Sequence, residues 1–175
     1  MILLKEAGPS FDEPLEMLAA CHERIAAQPA TLERLVPHLT ERGADADTRS
    51  AAQAVLRYFD TAGMLHHQDE ECDLFPVLRA RAAAQGRAAI AAAVEELERK
   101  HETIESQWRR QRGRLLAIRE GQARLDCEEV ASFAWLQRRQ IDRETWALLP
   151  FAREALGAAE RAALGRRMAA RRGAL

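Results

Sequence analysis

The sequence predicts an all-α fold: an antiparallel up-down-up-down four-helix bundle followed by a short C-terminal helix. Ala, Leu, Glu and Arg dominate, with only nine Gly and six Pro in 175 residues, a composition that favours long helices over strands. Four long stretches carry apolar residues at three-four spacing, the mark of a helix with one buried stripe. Short connections separate them, and long amphipathic helices joined by short loops pack best as antiparallel neighbours.

The elements follow in order. Residues 1–10 read as a lead-in broken by Gly8-Pro9-Ser10, residues 11–156 as the bundle, and residues 157–175 as a C-terminal helix and basic tail. Asp12 can cap the first helix and Pro14 suits its first turn. Leu15, Leu18, His22 and Ile25 form its stripe, which Leu32, Leu35, Val36 and Leu39 resume beyond Pro29. Pro29 predicts one kinked helix or two nearly collinear pieces. His38 is expected at a helix C-terminus or exposed. A second helix runs from about Thr48 to about Ala84, with Val55, Phe59, Ala62, His66 and Glu70 inward, and Gly86 closes it. The third runs from about Arg87 to Glu120, with Val94, Leu97, His101, Ile104, Trp108 and Leu115 inward. Asp126 caps the fourth, whose inner face is Phe133, Leu136, Gln140, Glu144 and Ala147, and which ends near Leu156. A last helix at about 158–170 carries Arg161, Arg166 and Arg167, with Arg171-Arg172 behind it, and reads most simply as a solvated basic face.

Length and charge bound the function. One domain with a real core is the natural size class. A hydrophobic fraction of 47% is ordinary for a globular chain, and a net charge of −1 supplies no field favouring nucleic acid or a membrane surface. No apolar run approaches the roughly 20 residues that span a bilayer. Met1-Ile2-Leu3-Leu4-Lys5 is too soon charged for a secretory signal. Cys21, Cys72 and Cys127 have no framework spacing and read as reduced thiols of a cytoplasmic protein, Cys21 and Cys72 as small buried side chains.

The chemistry concentrates in His66-His67-Gln68-Asp69-Glu70-Glu71-Cys72-Asp73-Leu74-Phe75-Pro76. On a helix, His66 and Glu70 share one face and His67 and Glu71 another. Alone, the run would be a solvated charged face. It is echoed by Gln140-Ile141-Asp142-Arg143-Glu144-Thr145-Trp146-Ala147-Leu148-Leu149-Pro150, which aligns Glu70 with Glu144, Leu74 with Leu148 and Pro76 with Pro150. The His66/Glu70 register returns as Gln140/Glu144, and the His67/Glu71 register does not. His66 and Glu70 are therefore the expected inward pair, with His67 and Glu71 the second choice.

Each helix thus carries a polar residue inside an apolar stripe: His22, His66, His101 and Gln140. All lie away from helix ends, and antiparallel packing can bring them to one level. A lone His on such a stripe is most often a satisfied core residue. Four groups left unpaired at one depth would cost about 1–3 kcal/mol each. A shared cation removes that cost for all of them. Imidazole and carboxylate suit iron, zinc or manganese. Glu70 and Glu144, on different helices, suit bridging between two ions. The Glu-x-x-His pattern of ferritin-like carboxylate proteins fits only Glu98 and His101, and P-loop, dinucleotide, serine-hydrolase and zinc-finger patterns are absent.

The run His-His-x-x-Glu-Glu-x-x-Leu-Phe-Pro resembles the second-helix signature of the hemerythrin-like, or HHE cation-binding, domains. The resemblance spans roughly residues 11–156. It implies a non-haem di-iron centre with ligands His22, His66, Glu70, His101 and Glu144, the two carboxylates bridging. Such domains usually carry His where this chain has Gln140, whose carbonyl oxygen is a weak neutral ligand. The second ion would then rely on Glu105, one turn beyond His101, or on water, or be missing. The implied function is binding or reduction of O₂, peroxide or nitric oxide at iron, as a carrier or a redox or oxygen sensor, with turnover as an extension of the same chemistry. The rival is a metal-free or mononuclear helical interaction module that uses its surface and Arg-rich C-terminus. Trp108, Trp135 and Trp146 are expected to pack, Trp108 lining the site and Trp146 shielding Glu144.

Overall fold

A computed structural model describes residues 9–122 and 124–174. Most of the predicted lead-in, residues 1–8, lies outside the described residues. Among those described there is no strand, and five helices account for nearly all of the chain. Helix α1 is Pro14–Arg42, unbroken through Pro29 and Pro37. Helix α2 covers residues 46–84 and α3 is Ala88–Arg119. Helix α4 covers residues 127–155 and α5 is Ala158–Arg171. The caps are local and readable. Asp45 accepts from the Thr48 backbone N–H at 2.8 Å, starting α2 two residues before the expected Thr48. Asp126 accepts from Glu129 N–H at 3.0 Å. Gly86 (φ +64°) and Gly121 (φ +83°) follow α2 and α3 in the left-handed region that glycine tolerates.

Each of α1 to α4 packs on the next, and α4 closes the ring against α1. The interior holds two apolar clusters. One contains Leu15, Leu18, Leu74, Phe75, Leu97 and Leu148, and the other Ile25, Val55, Phe59, Ile104, Phe133 and Leu136. Along every helix the polar core residue falls between the two: His22 between Leu18 and Ile25, His101 between Leu97 and Ile104.

Two helices are not regular. Helix α2 contains π-helical turns at Phe59–Gly63 and Glu70–Leu74, and α4 contains one at Glu144–Leu148. In the latter two, the Phe75 N–H bonds to the Glu70 carbonyl and the Leu149 N–H to the Glu144 carbonyl, five residues back. A proline follows each, Pro76 and Pro150. Proline has no N–H and its ring presses on the carbonyl four residues earlier. A widened turn relieves that contact and takes up one extra residue, as π-bulges do. The inserted residue moves the buried stripe on by one. Gly63 and Leu148 are buried where the 3.6-residue period points to Ala62 and Ala147, which are only half-buried.

Helix α5 is not a free basic tail. It packs on α1 and on the middle of α2, burying Leu164, Gly165, Met168 and Ala169. A Cβ at Gly165 would lie 1.9 Å from the Phe11 carbonyl oxygen, so only glycine permits this approach. Arg161, Arg166 and Arg167 are exposed as expected. Arg171 and Arg172 instead turn inward onto Asp69, which is 0% exposed, and Arg171 also donates to Asp73 at 2.6 Å. The solvated-face expectation fails for these two because α2 presents a buried carboxylate pair, Asp69 and Asp73, one turn apart, that needs cations.

Candidate metal centre

The polar residues of the four inner stripes meet at one point. His22, His66, Glu70, His101, Gln140 and Glu144 are each no more than 2% exposed. The His22 and His66 rings stand edge to face with centroids 5.0 Å apart. Glu70 Oε1 is 3.5 Å from His22 Nε2 and 3.4 Å from His66 Nε2, while its Oε2 is 3.5 Å from His101 Nε2. Glu144 does the same from the other side: Oε2 is 3.3 Å from His22 Nε2 and Oε1 is 3.4 Å from His101 Nε2. Each carboxylate therefore turns one oxygen to the His22 side and the other to the His101 side. Both carboxylates sit at the first residue of a π-helical turn, and the repeated Glu-x-x-x-Leu-x-Pro places both turns.

The lone pairs converge without protein partners. His22 Nε2, both nitrogens of His66, His101 Nε2, Glu70 Oε2 and Gln140 Oε1 are buried and accept or donate no hydrogen bond. Unsatisfied buried polar atoms are rare in native interiors. Ligand atoms of His22, His66, Glu70 and Glu144 lie within 4.8 Å of one another, and this set can hold a metal ion. The imidazole and carboxylate donor set fits a cation of the iron, zinc or manganese class.

Outer contacts orient the rings. His22 Nδ1 lies 2.8 Å from Thr145 Oγ1, and His101 Nδ1 lies 2.8 Å from Glu71 Oε1. The Glu71 carboxylate can only accept, so His101 Nδ1 donates, while the Thr145 hydroxyl holds the His22 ring in place; both rings turn Nε2 inward. Gln140 Nε2 donates to Glu144 Oε1, leaving the amide oxygen unpartnered.

Protonation shows how the cluster balances without a cation. Burial alone would push His22 down, but the Glu144 and Glu70 carboxylates reverse this and carry it to about 10. Burial opposes His101 in the same way, and Glu144 and Glu71 lift it to about 10. Burial and the Glu144 charge raise Glu70. Burial would raise Glu144 as well, but the facing His101 and His22 imidazoles hold it well below the usual carboxylate range. Burial and the neighbouring His22 keep His66 neutral, far below its ordinary value. The two carboxylates thus favour positive charge at His22 and His101.

The second-choice residues fall outside this inner ring. His67 is half-buried and stacks on His101 at 4.1 Å, and burial lowers it to about 4. Glu71 holds the outer nitrogen of His101. Glu105 does not fill the place beside Gln140: it is exposed on the wall of a cavity, and Ile104 takes the buried position one turn past His101. Trp146 is 79% exposed and does not shield Glu144, since two residues on a helix is more than half a turn. Trp135 is 61% exposed rather than packed. Trp108 lies against Phe59 with centroids 4.6 Å apart and lines the cavity. Cys21 is buried, while Cys72 is exposed, two residues beyond the inward Glu70. His38 is held by Asp45 at 2.9 Å. Sequence reading passed over Thr145 and the Asp69/Asp73 pair. The i, i+4 spacing of the two aspartates was the available signal.

Residues 13–152 match the family described as the hemerythrin HHE cation-binding domain. A protein of Haemophilus influenzae described as uncharacterized is 32% identical over 172 residues, covering 98% of this chain and 96% of that one. The motif, the bundle and the matched span agree, and the chain belongs to the hemerythrin HHE cation-binding family.

Proposed function

We propose that this is a non-haem iron protein whose centre binds or reduces a small oxidant, O₂, peroxide or nitric oxide, as a carrier or sensor. One observation carries the reading: Glu70 and Glu144 each offer one oxygen to the His22 side and one to the His101 side. Two carboxylates split in this way could serve two cations at once. His22 and His66 would hold one ion, His101 the other, with Gln140 beside it. Iron would supply the electrons that a small oxidant accepts. The protein's part is to hold the carboxylates at fixed separation, keep the pair dry between two apolar clusters, and leave the Gln140 side short of an imidazole so that a ligand can approach.

A mononuclear centre is the second reading. It is favoured by the tight grouping of His22, His66, Glu70 and Glu144, which does not include His101. An anomalous-scattering map at the iron edge, on crystals of protein grown with iron, distinguishes them. Two peaks flanked by Glu70 and Glu144 are expected, together with near-ultraviolet absorption from oxo-bridged ferric ions. One peak at His22 and His66 supports the mononuclear reading. No peak, and no metal in bulk analysis, leaves the helical interaction module.

A further inference from the structure

A half-open cavity of about 660 Å³ lies between α2 and α3, on the His101 side of the centre. Its size does not suit the oxidants named above. A water-sized molecule takes up about 30 Å³, whereas sites for small organic ligands run from about 300 to 1,000 Å³. The inner walls are largely apolar and aromatic: Phe59, Gly63, Ile104 and Trp108, with the His67–His101 stack alongside. The π-helical turn Phe59–Gly63 helps to shape the cavity. A Cβ on Gly63 would come 3.0 Å from the Phe59 ring, so the missing side chain keeps that wall flat.

One polar group interrupts these inner walls. Gln137 is 1% exposed, lines the cavity, and its Nε2 has no hydrogen-bond partner. A buried amide on an apolar aromatic wall selects a molecule with a flat apolar body and an oxygen able to bond to it. The rim sets the charge. Arg112 is held by Asp60 and Glu71 by His101, which leaves the carboxylates of Glu102 and Glu105 facing the single guanidinium of Arg109. An anion is disfavoured there.

We propose that this cavity is a binding site for a neutral aromatic molecule of one or two rings carrying a hydroxyl or carbonyl oxygen, its ring against Trp108 and Phe59 and its oxygen on the Gln137 amide. The site goes beyond the metal reading and does not require it, since Phe59, Trp108 and Gln137, which would hold the molecule, are none of the residues placed around the ions.

The test titrates the full-length ¹⁵N-labelled chain, metal-free and zinc-loaded, with 1-naphthol and follows it by NMR. The Gln137 side-chain amide and the Trp108 indole N–H should shift and saturate. The indoles of exposed Trp135 and Trp146 should stay still, as controls within the same spectrum. Naphthalene-1-sulfonate should bind at least about fivefold more weakly, given the acidic rim. Gln137→Leu should weaken 1-naphthol by about tenfold, the scale of one hydrogen bond. If that variant does not fold, the wild-type amide shift still decides. A still Trp108 indole, or all three indoles drifting together without saturation, overturns the proposal. Zinc uptake with no response at Trp108 leaves the metal reading standing while the cavity proposal fails. Saturable 1-naphthol binding without metal uptake is the reverse case.

Discussion

The two sides of the centre are built differently. The His22/His66 side is closed: two imidazoles, an edge-to-face ring contact, and α5 laid over α1 and α2 with Arg171 and Arg172 on Asp69. The His101/Gln140 side has one imidazole and one amide, equally buried, and a cavity reaches the His101 ring with His67 stacked on it. The same two carboxylates serve both. The contrast teaches that one bundle can surround a single pair of carboxylates with unlike neighbours, a helix laid over one side and a cavity beside the other.

The largest effect should come from removing what both sides share. Glu70→Ala should take bound iron per chain to near zero by metal analysis, because each ion loses a ligand and the facing imidazoles lose their counter-charge. Retention of a full complement of iron would break the bridging picture. Next comes the cover on the closed side. The double change Arg171→Ala, Arg172→Ala leaves Asp69 buried without a cation, and breaking a buried pair costs about 3–5 kcal/mol. The low end applies, since both guanidinium side chains keep nearly a fifth of their surface in water. Urea unfolding should show the loss, with iron lost from the His22/His66 side as α2 loosens.

Restoring an imidazole on the His101/Gln140 side should sharpen the comparison. Gln140→His should raise iron per chain and make the two ions more alike. Unchanged stoichiometry together with unchanged spectra would sink the idea that Gln140 weakens that side. Subtler still is ring orientation. Thr145→Val frees His22 Nδ1 and Glu71→Gln weakens the hold on His101 Nδ1. Losing the partner of a ligating ring's outer nitrogen typically costs about 10–100-fold in metal affinity. Competition with a chelator should place the Thr145 effect on the tighter ion and the Glu71 effect on the looser one.

The last test is pH dependence of the metal-free chain, which touches neither side by mutation. His22 and His101 are raised from 6.5 to about 10 in the fold. A raised folded value means stability that is complete below about 6.5 and lost as pH climbs through about 10. His66 and His67 run oppositely, lowered by burial, so their contribution is lost on acidification below 6.5. The melting temperature of metal-free protein should therefore fall between pH 6.5 and 10. Metal-loaded protein should hold flat there, and uptake should release protons. A flat curve for both forms would show that the imidazoles carry no protons in the absence of metal.

Much of this was legible in the chain itself. The three-four stripes located the four long helices, and the gapless match of Glu70-x-x-x-Leu74-x-Pro76 with Glu144-x-x-x-Leu148-x-Pro150 singled out the register that the structure turns inward. Periodicity cannot reveal the π-helical turns, because a 3.6-residue count has no place for an added residue, and so it points to Ala62 and Ala147, one position before the buried Gly63 and Leu148. Pairings across long separations were equally hidden. Nothing near Asp69 in sequence says that Arg171 and Arg172, a hundred residues on, will meet it. The cavity was unreadable for the same reason, since Gly63, Trp108 and Gln137 come together only after α2, α3 and α4 have packed.

The interior is two greasy blocks with a charged seam between them. Each block can condense by burying its own apolar surface, but their alignment is decided at the seam. A chain stripped of cations at alkaline pH should therefore come apart at its middle first. Deuterium should enter the backbone around His66, His101 and Glu144 before it reaches Leu97 or Phe133.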